Sequence, residues 1–314
     1  MDLTALKTFC AVVEDAGVQR AATRLHTVQS NVTMRIRRLE RELGTSLFVK
    51  RGRRLVLTPS GKVLLDYAHR ILQLERQAAQ AVKQAGDIAG ELRLGANQTF
   101  AALNLPVLLK TLQQYHPRLE INLILATSGH LVQQVLDHKL DCAFVGGPVD
   151  HPELEVEEVY REELVLVDTP QGTTVHRLIV FHEGCAYRAR AQQWQRETGH
   201  PFRPFLELGT LDGILGCVAA GLGVTLLPRQ AVERSLYRDQ LRITALPREL
   251  AEVPALFIRH RDGFPLAAID TARHLATRLP SGVATGVNGE ENRLGTAEPG
   301  ATVPELERKR RTYR

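Results

Sequence analysis

The sequence predicts an α plus α/β chain with three parts: a small helical head bearing a basic hairpin, a long linking helix, and a larger domain of two α/β lobes. Three observations carry this prediction. Residues 1–58 hold apolar residues at helical spacing followed by two short β-prone runs. Residues 59–86 keep an apolar stripe through about seven helical turns. From Glu91 onward, strand-like and helix-like segments alternate. With 314 residues and 44% hydrophobic content, the chain can bury more than one core, so roughly two or three domains are expected.

In the head, Leu3, Leu6, Phe9, Cys10 and Val13 share one helical side, with Asp2 or Thr4 placed to cap, so a first helix ends between Asp15 and Gly17. A second helix is predicted over 19–25. His26 and Thr27 make a turn, and Thr27 is placed to accept a free N–H from the next helix. That helix carries Val32, Ile36, Leu39 and Leu43 on its packing side and Gln29, Thr33 and Arg37 on another. An amide, a hydroxyl and a guanidinium on one exposed face can bond base edges and phosphates in a DNA major groove. The plainer alternative is a solvated amphipathic helix. Two short helices joined by a turn, the second rich in arginine, make residues 20–42 a helix-turn-helix. Gly44 stands where a left-handed residue closes the second helix.

Phe48 and Val49, then Leu55 to Leu57, flank KRGRR, which predicts a hairpin whose tip carries Lys50, Arg51, Arg53 and Arg54. A basic wing beside a helix-turn-helix can straddle the phosphate backbone. Thr58 and Pro59 then start the linking helix, with proline at its first position. Its stripe of Val63, Leu64, Tyr67, Ala68, Ile71, Leu74, Ala78, Ala81, Val82 and Ala85 is too long for the head to cover, so a second copy of the chain is the expected partner.

In the larger domain, strands at 92–96, 120–125 and 142–147 alternate with helices over 103–115 and 131–138, which predicts a largely parallel sheet. A second set follows: strands at 163–167, 177–181, 205–208 and 224–228, with helices over 187–197 and 211–220. A strand at 253–259 and a helix over 266–278 close the region. Two α/β lobes imply a ligand cleft beyond the carboxyl ends of the strands. After Pro280, a stretch rich in Gly, Thr and charge has little to bury and is expected to be a disordered tail. Its basic end, RKRRTYR, can touch an acidic surface or simply be solvated. The expected organisation is therefore 1–58 head, 59–90 linking and dimerising helix, 91–280 two-lobed domain, and 281–314 tail. The first lobe would span about 91–162 and 267–280, the second about 163–266.

Charge is uneven. Residues 1–60 hold 11 Lys or Arg against 5 Asp or Glu, whereas residues 61–280 hold 23 against 25. A basic head on a near-neutral body is the asymmetry of a nucleic-acid-binding module joined to a part with another task. The cysteines Cys10, Cys142, Cys185 and Cys217 form no CxxC pair, so reduced thiols are expected rather than a zinc site or a disulfide framework. The sequence shows no long apolar run and no secretory pattern at its start, so a cytoplasmic protein without membrane partners is expected. His176, His182 and His200 lack metal-ligand spacing, and no acid, base and nucleophile set converges. Neither a metal, nor a cofactor, nor an enzyme is therefore expected. Gly221 and Gly223 precede a strand, unlike a dinucleotide fingerprint, and the sequons at Asn31 and Asn97 are accidental in a cytoplasmic chain.

Residues 3–67, with FCAVVEDAG and QRAATRLHTVQSNVTMRIRRLERELGTSLFVKRGRRLVLTPSGK, closely resemble the N-terminal domain of the LysR-type transcriptional regulators. The resemblance implies a long dimerising helix and a two-lobed effector-binding domain similar to periplasmic binding proteins. It also implies a bacterial regulator that binds double-stranded promoter DNA as a dimer or tetramer, answers to a small molecule, and has RNA polymerase as a further partner. Gln29, Ser30, Thr33 and Arg35 match positions that touch DNA in that family. Thr27, Asn31, Met34, Arg37 and Arg38 complete the expected set, and Arg51, Arg53 and Arg54 match the wing. The chain departs from the pattern at Gly17, where a capping serine is common, at Thr33, which keeps a hydroxyl, and at Asn31, which bears on sequence preference.

Segments 143–149, 184–188 and 215–228 are similar to the branch of the family named for a glutamate-operon regulator. Family pocket positions fall on Thr99, Thr127, Ser128, Gly147, Cys185 to Arg188, and Thr210. Small hydroxyls and free N–H groups at helix starts favour an anionic effector, and Arg188 can pair with a carboxylate or sulfonate. For each Thr or Ser, helix capping is the competing role. The competing whole-chain reading is a constitutive DNA-binding protein whose α/β domain only assembles the oligomer.

Overall fold

The computed structural model describes residues 1–52, 54–83, 90–172, 177–199, 206–263 and 266–278. The expected tail at 281–314, Arg53, and the end of the linking helix at 84–86 lie outside them.

The head is three helices and a hairpin: α1 (Leu3–Glu14), α2 (Val18–Arg24), α3 (Gln29–Leu43), β1 (Phe48–Arg51) and β2 (Arg54–Leu57). Asp2 caps α1 by accepting the Ala5 N–H at 2.7 Å. Gly17 begins α2 with no side-chain cap, as expected where the usual serine is missing. Thr27 does not cap α3. Val28 holds that position with an extended backbone and no side-chain bond, while the Thr27 hydroxyl receives the Asn31 amide at 3.1 Å. Gly44 ends α3 in the left-handed conformation at φ 66°.

Leu6, Phe9, Val12, Val32, Leu39, Leu47 and Ala68 form the buried core of the head. Full burial of each larger side chain is worth about 1.5–3 kcal/mol. Glu40 fastens the hairpin to α3 by accepting the Leu47 N–H at 2.8 Å. Gly61 allows close approach of the next helix, since a Cβ there would lie 2.2 Å from the Leu47 carbonyl oxygen.

That next helix, α4 (Pro59–Lys83), divides the predicted stripe between two uses. Leu64, Ala68 and Ile71 pack on the head, together with Leu72 from outside the stripe, whereas Val63, Tyr67, Leu74 and Val82 are exposed. Farther along, Arg76 pairs with buried Asp141, which also accepts the Arg93 backbone N–H at 2.8 Å. Lys139 reaches Glu14 of α1 at 3.2 Å, and Arg70 reaches Glu153 at 3.1 Å. The head and α4 are thus charge-paired to the first lobe.

The larger domain runs β3 (Gly90–Ala96), α5 (Gln98–Leu103), α6 (Leu105–Tyr115), β4 (Leu119–Leu125), α7 (Ser128–Leu136), β5 (Cys142–Gly146) and β6 (Leu154–Asp168). It continues with β7 (Ile179–Val180), α8 (Ala186–Thr198), β8 (Leu206–Glu207), α9 (Leu211–Ala219), β9 (Thr225–Pro228) and α10 (Arg229–Glu233). A short 3-10 turn (Arg238–Gln240), β10 (Arg242–Ala245), α11 (Arg248–Ala251), β11 (Glu252–His260) and α12 (Ala267–Ala276) complete it.

The sheet is mixed rather than largely parallel. Its order is β10-β6-β11-β5-β3-β4, with β9 also on β6. Within this sheet, among the described residues, β3 alone pairs in parallel, with β4 and β5, while β11 runs antiparallel to β5 and β6, and β9 and β10 run antiparallel to β6; β7 and β8 form a separate parallel pair. β6 serves both lobes: Leu154–Glu163 pair with β11, and Leu164 onward pair with β9 and β10. β11 belongs with the first lobe, so the chain returns there near Glu252 and not near 267. The predicted helix over 103–115 is broken at Asn104, whose amide donates to the Tyr160 hydroxyl at 2.7 Å.

The first-lobe core centres on Phe100, Phe144 and Phe257, with Phe100 stacked on Phe144 at 4.1 Å between ring centroids. The second-lobe core gathers Leu164, Val167, Ile179, Ile214, Val218 and Leu227. Among the described residues, no helix is long and apolar enough to cross a membrane.

Candidate DNA-reading surface and interlobe cleft

α3 is held by one side and offers the other. Val32, Ile36 and Leu39 are buried in the head, which points Gln29, Ser30, Thr33, Met34, Arg37 and Arg41 outward around one shallow concavity. Gln29, Thr33, Arg37 and Arg41 follow each other at four-residue steps, the row that a helix lays along a groove. The Thr33 hydroxyl donates to the Gln29 carbonyl at 2.9 Å, so its outward lone pairs remain open to a donor. Arg41 was not foreseen; the same spacing that selected Gln29, Thr33 and Arg37 reaches it one step later.

The remaining expected contacts divide. Arg35 is half-buried and leans toward the Thr8 hydroxyl of α1 at 3.5 Å, away from the outward row. Arg38 is exposed but paired with Glu42 at 3.0 Å. Thr27 and Asn31 bond to each other. In the wing, Arg51 is exposed beside the Gly52 turn, whose φ of 61° favours glycine. Arg53 and the side chain of Arg54 lie outside the described residues.

The second site lies between the lobes. A cavity of about 170 Å³ is lined from four strand-to-helix turns: Asn97 to Thr99, Leu125 to Ser128, Phe181 and His182 with Cys185 to Tyr187, and Gly209. These turns follow the carboxyl ends of β3, β4, β7 and β8, where α/β proteins place ligands. Thr99, Thr127, Ser128 and Cys185 therefore come together in one lining. A broader recess beside it shares Ser128 and Cys185 and adds Gly147 and Arg188. The lobes touch at glycine: Gly129 N–H donates to the Gly184 carbonyl at 3.0 Å, and a Cβ on Gly147 would lie 2.8 Å from Ala186 Cβ.

Polar groups here have specific commitments. Ser128 Oγ accepts the buried Gly146 N–H at 3.0 Å. Thr210 lies outside both linings and caps α9, accepting the Gly213 N–H at 3.2 Å. The Arg188 guanidinium meets Glu207 at 2.9 Å, and His182 stands 3.6 Å from the same carboxylate. That pairing holds the Glu207 carboxyl below the usual range. Arg188 is thus a compensated cation, and a ligand carboxylate would compete with Glu207 for it. Burial pushes the Cys185 thiol up, which disfavours the reactive thiolate. Beneath the cavity, the Tyr187 hydroxyl donates to Glu162, an acid on β6 that sequence reading passed over because it sits within a glutamate-rich run.

An outward basic row on a helix-turn-helix, joined by a long helix to a two-lobed cleft, defines a DNA-binding regulator with a ligand-binding domain. Comparison with known proteins gives that class its family. Residues 3–62 match the bacterial regulatory helix-turn-helix protein model of the lysR family, and residues 85–279 match the LysR substrate binding domain. The uncharacterized HTH-type transcriptional regulator YusT of Bacillus subtilis is 38% identical over 271 residues, covering 85% of this chain and 92% of its own. The HTH-type transcriptional regulator GltR of the same organism is 34% identical, covering 83% of this chain and 91% of its own. Solved structures share the fold. Full-length OxyR from Pseudomonas aeruginosa, a variant, superposes with TM-score 0.66 at 21% identity over 93% of this chain and 99% of that one. Full-length CbnR complexed with its target DNA gives 0.60 at 22% identity over 88% and 100%. The chain belongs to the LysR family and is a DNA-binding transcriptional regulator.

Proposed function

We propose that this regulator reads promoter DNA through Gln29, Ser30, Thr33, Arg37 and Arg41 of α3, with Arg51 and its wing neighbours holding the phosphates. The observation that carries this reading is the outward row on α3, whose arginines Arg37 and Arg41 have no acidic partner among the described residues. The regulator acts as a dimer or as a pair of dimers. The exposed apolar positions Val63, Tyr67, Leu74 and Val82 of α4 support this, because a second copy of the same helix would cover them. The working division is a DNA-binding head at 1–58, a dimerising helix at 59–90, a two-lobed sensor at 91–280 and a tail at 281–314. The protein works in the cytoplasm without catalysis, and RNA polymerase is its further partner at the promoter.

A small metabolite in the interlobe cleft shifts the packing of the lobes, and the charge pairs from the first lobe to α1 and α4 carry that shift to the heads. An anionic ligand end fits the hydroxyls at Thr99 and Thr127 and, on displacing Glu207, Arg188. Footprinting on the DNA upstream of its own gene is expected to show sequence-selective protection that changes with the right metabolite. A thermal-shift screen of metabolites from neighbouring genes should find one that adds about 2–4 kcal/mol when well above its dissociation constant. Protection that no metabolite alters, with no thermal shift, would instead support a constitutive DNA-binding protein.

A further inference from the structure

Three side chains from three elements meet beneath the cleft. Thr99 comes from α5 in the first lobe, Tyr187 from α8 in the second, and Glu162 from β6 just before that strand changes pairing partners. The Tyr187 hydroxyl donates to Glu162 Oε2. Thr99 Oγ1 is buried, borders the cavity, and lies beside the Tyr187 hydroxyl without completing a hydrogen bond. Its hydrogen is therefore available in either direction.

The charged groups around Glu162 are engaged elsewhere. Glu163 pairs with Arg229 of α10 at 2.8 Å, and Arg161 pairs with Glu158 at 2.7 Å and Glu252 of β11 at 3.5 Å. Arg190 of α8 donates to the carbonyls of Glu249 and Glu252, and Arg188 meets Glu207. Tyr160 receives the Asn104 amide, and Cys185 is a buried thiol. Among the described residues no cation neutralises Glu162.

Hydrogen-bond chemistry then gives the trio two states. With Glu162 ionised, Tyr187 donates inward, Thr99 donates to Tyr187, and Thr99 shows the cleft only lone pairs. With Glu162 protonated, the acid donates to Tyr187, Tyr187 turns its hydrogen to Thr99, and Thr99 turns its own toward the cleft. We propose that Glu162 is a specificity-determining residue of the cleft, setting through Tyr187 and Thr99 whether the floor accepts a hydrogen bond from the ligand or donates one. A ligand seated on Thr99 by a carboxylate or carbonyl then binds with uptake of one proton at Glu162, and a ligand seated by an amine binds with release of one. This inference rests on the cleft being the ligand site. Burial pushes the Glu162 carboxyl up to about 7, which keeps both states accessible near neutrality.

The test uses the full chain, isobutyrate as the acceptor probe and isobutylamine as the donor probe, with affinities followed by ligand-observed NMR. Between about pH 7 and pH 8, isobutyrate affinity is expected to fall about fivefold in wild type and to stay flat in Glu162→Gln. Isobutylamine should show the opposite slope. Thr99→Val should abolish both slopes while Glu162 still titrates. Melting curves supply a readout independent of the probes. Because Glu162 is raised above its unfolded value, its contribution to stability is present at low pH and is lost as pH rises through the folded value. Wild type should therefore lose melting temperature relative to Glu162→Gln between about pH 5 and pH 8, and Thr99→Val should follow wild type. Parallel melting curves overturn the proposal, and so does an isobutyrate slope that survives Glu162→Gln or a failure of both probes at every pH. DNA selectivity measured on the same preparations separates these failures from failure of the regulator reading itself.

Discussion

The two sites handle charge in opposite ways. On α3 and the wing, Arg37, Arg41 and Arg51 face outward without acidic partners among the described residues. In the cleft, Arg188 is matched by Glu207, and the buried acid Glu162 is matched by a hydroxyl, with no cation on it among the described residues. The difference fits the partner proposed for each site. DNA carries dense phosphate charge and rewards every unmatched cation through counterion release. A small ligand carries one or two charges, and an unmatched buried ion beside an empty cleft would cost more than it returned. The head accordingly leaves its cations open, whereas the cleft keeps its charges matched.

The largest test of this contrast is structural independence. Leu39→Ala should cost the head about 2–5 kcal/mol through its buried core while leaving ligand-induced melting shifts of the lobes in place. Loss of both responses together would show that the sites are not separable. Next in size, Arg37→Ala should reduce discrimination between specific and random duplex by about 1–3 kcal/mol in fluorescence anisotropy. Thr210→Ala should cost about 1 kcal/mol in chemical denaturation and little in ligand affinity, because that hydroxyl caps α9 and does not line the cleft. The smallest effect belongs to Arg51→Ala, which should lower affinity evenly on all sequences and reduce the slope of log affinity against log salt by about 1.

Legibility in the sequence also separates the two regions. The head is local: α1 to α3, the Gly44 stop and the basic hairpin all follow from spacings within a few residues. Thr27 misled because its type suits a cap, yet Asn31 one turn later gave its hydroxyl a different partner. In the larger domain the strand segments were largely legible, but the direction of pairing was not. β11 returns to the first lobe and makes the sheet mixed, a consequence of contacts more than one hundred residues apart in sequence. The first half of β6 went unread because glutamates at 155, 157 and 158 weaken its β signal. Arg259, Arg273 and Arg161 pair with those same carboxylates and keep the strand in the sheet.

The cleft shows the same limit. Thr99, Thr127, Ser128 and Cys185, which the family resemblance implies as pocket positions, line one cavity. Arg188 lies in the adjoining recess with its charge already met, and Thr210 is turned to its helix. Glu162 and its link to Tyr187 required the fold, since 25 residues of chain and a change of lobe separate them. Short-range chemistry reveals the outward basic row of α3, whereas a cleft assembled from four turns becomes visible only after folding.

In the proposed division of labour, α3 reads sequence with an uncompensated basic row while the wing supplies charge. Binding of wild type, Arg37→Ala and Arg51→Ala to the chain's own upstream DNA and to a scrambled duplex of equal length, across a salt series, tests it most directly. Arg37→Ala should narrow the gap between the two duplexes, while Arg51→Ala should keep the gap and flatten the salt dependence. Equal losses on both duplexes for Arg37→Ala, or no gap in wild type at any salt, would contradict it.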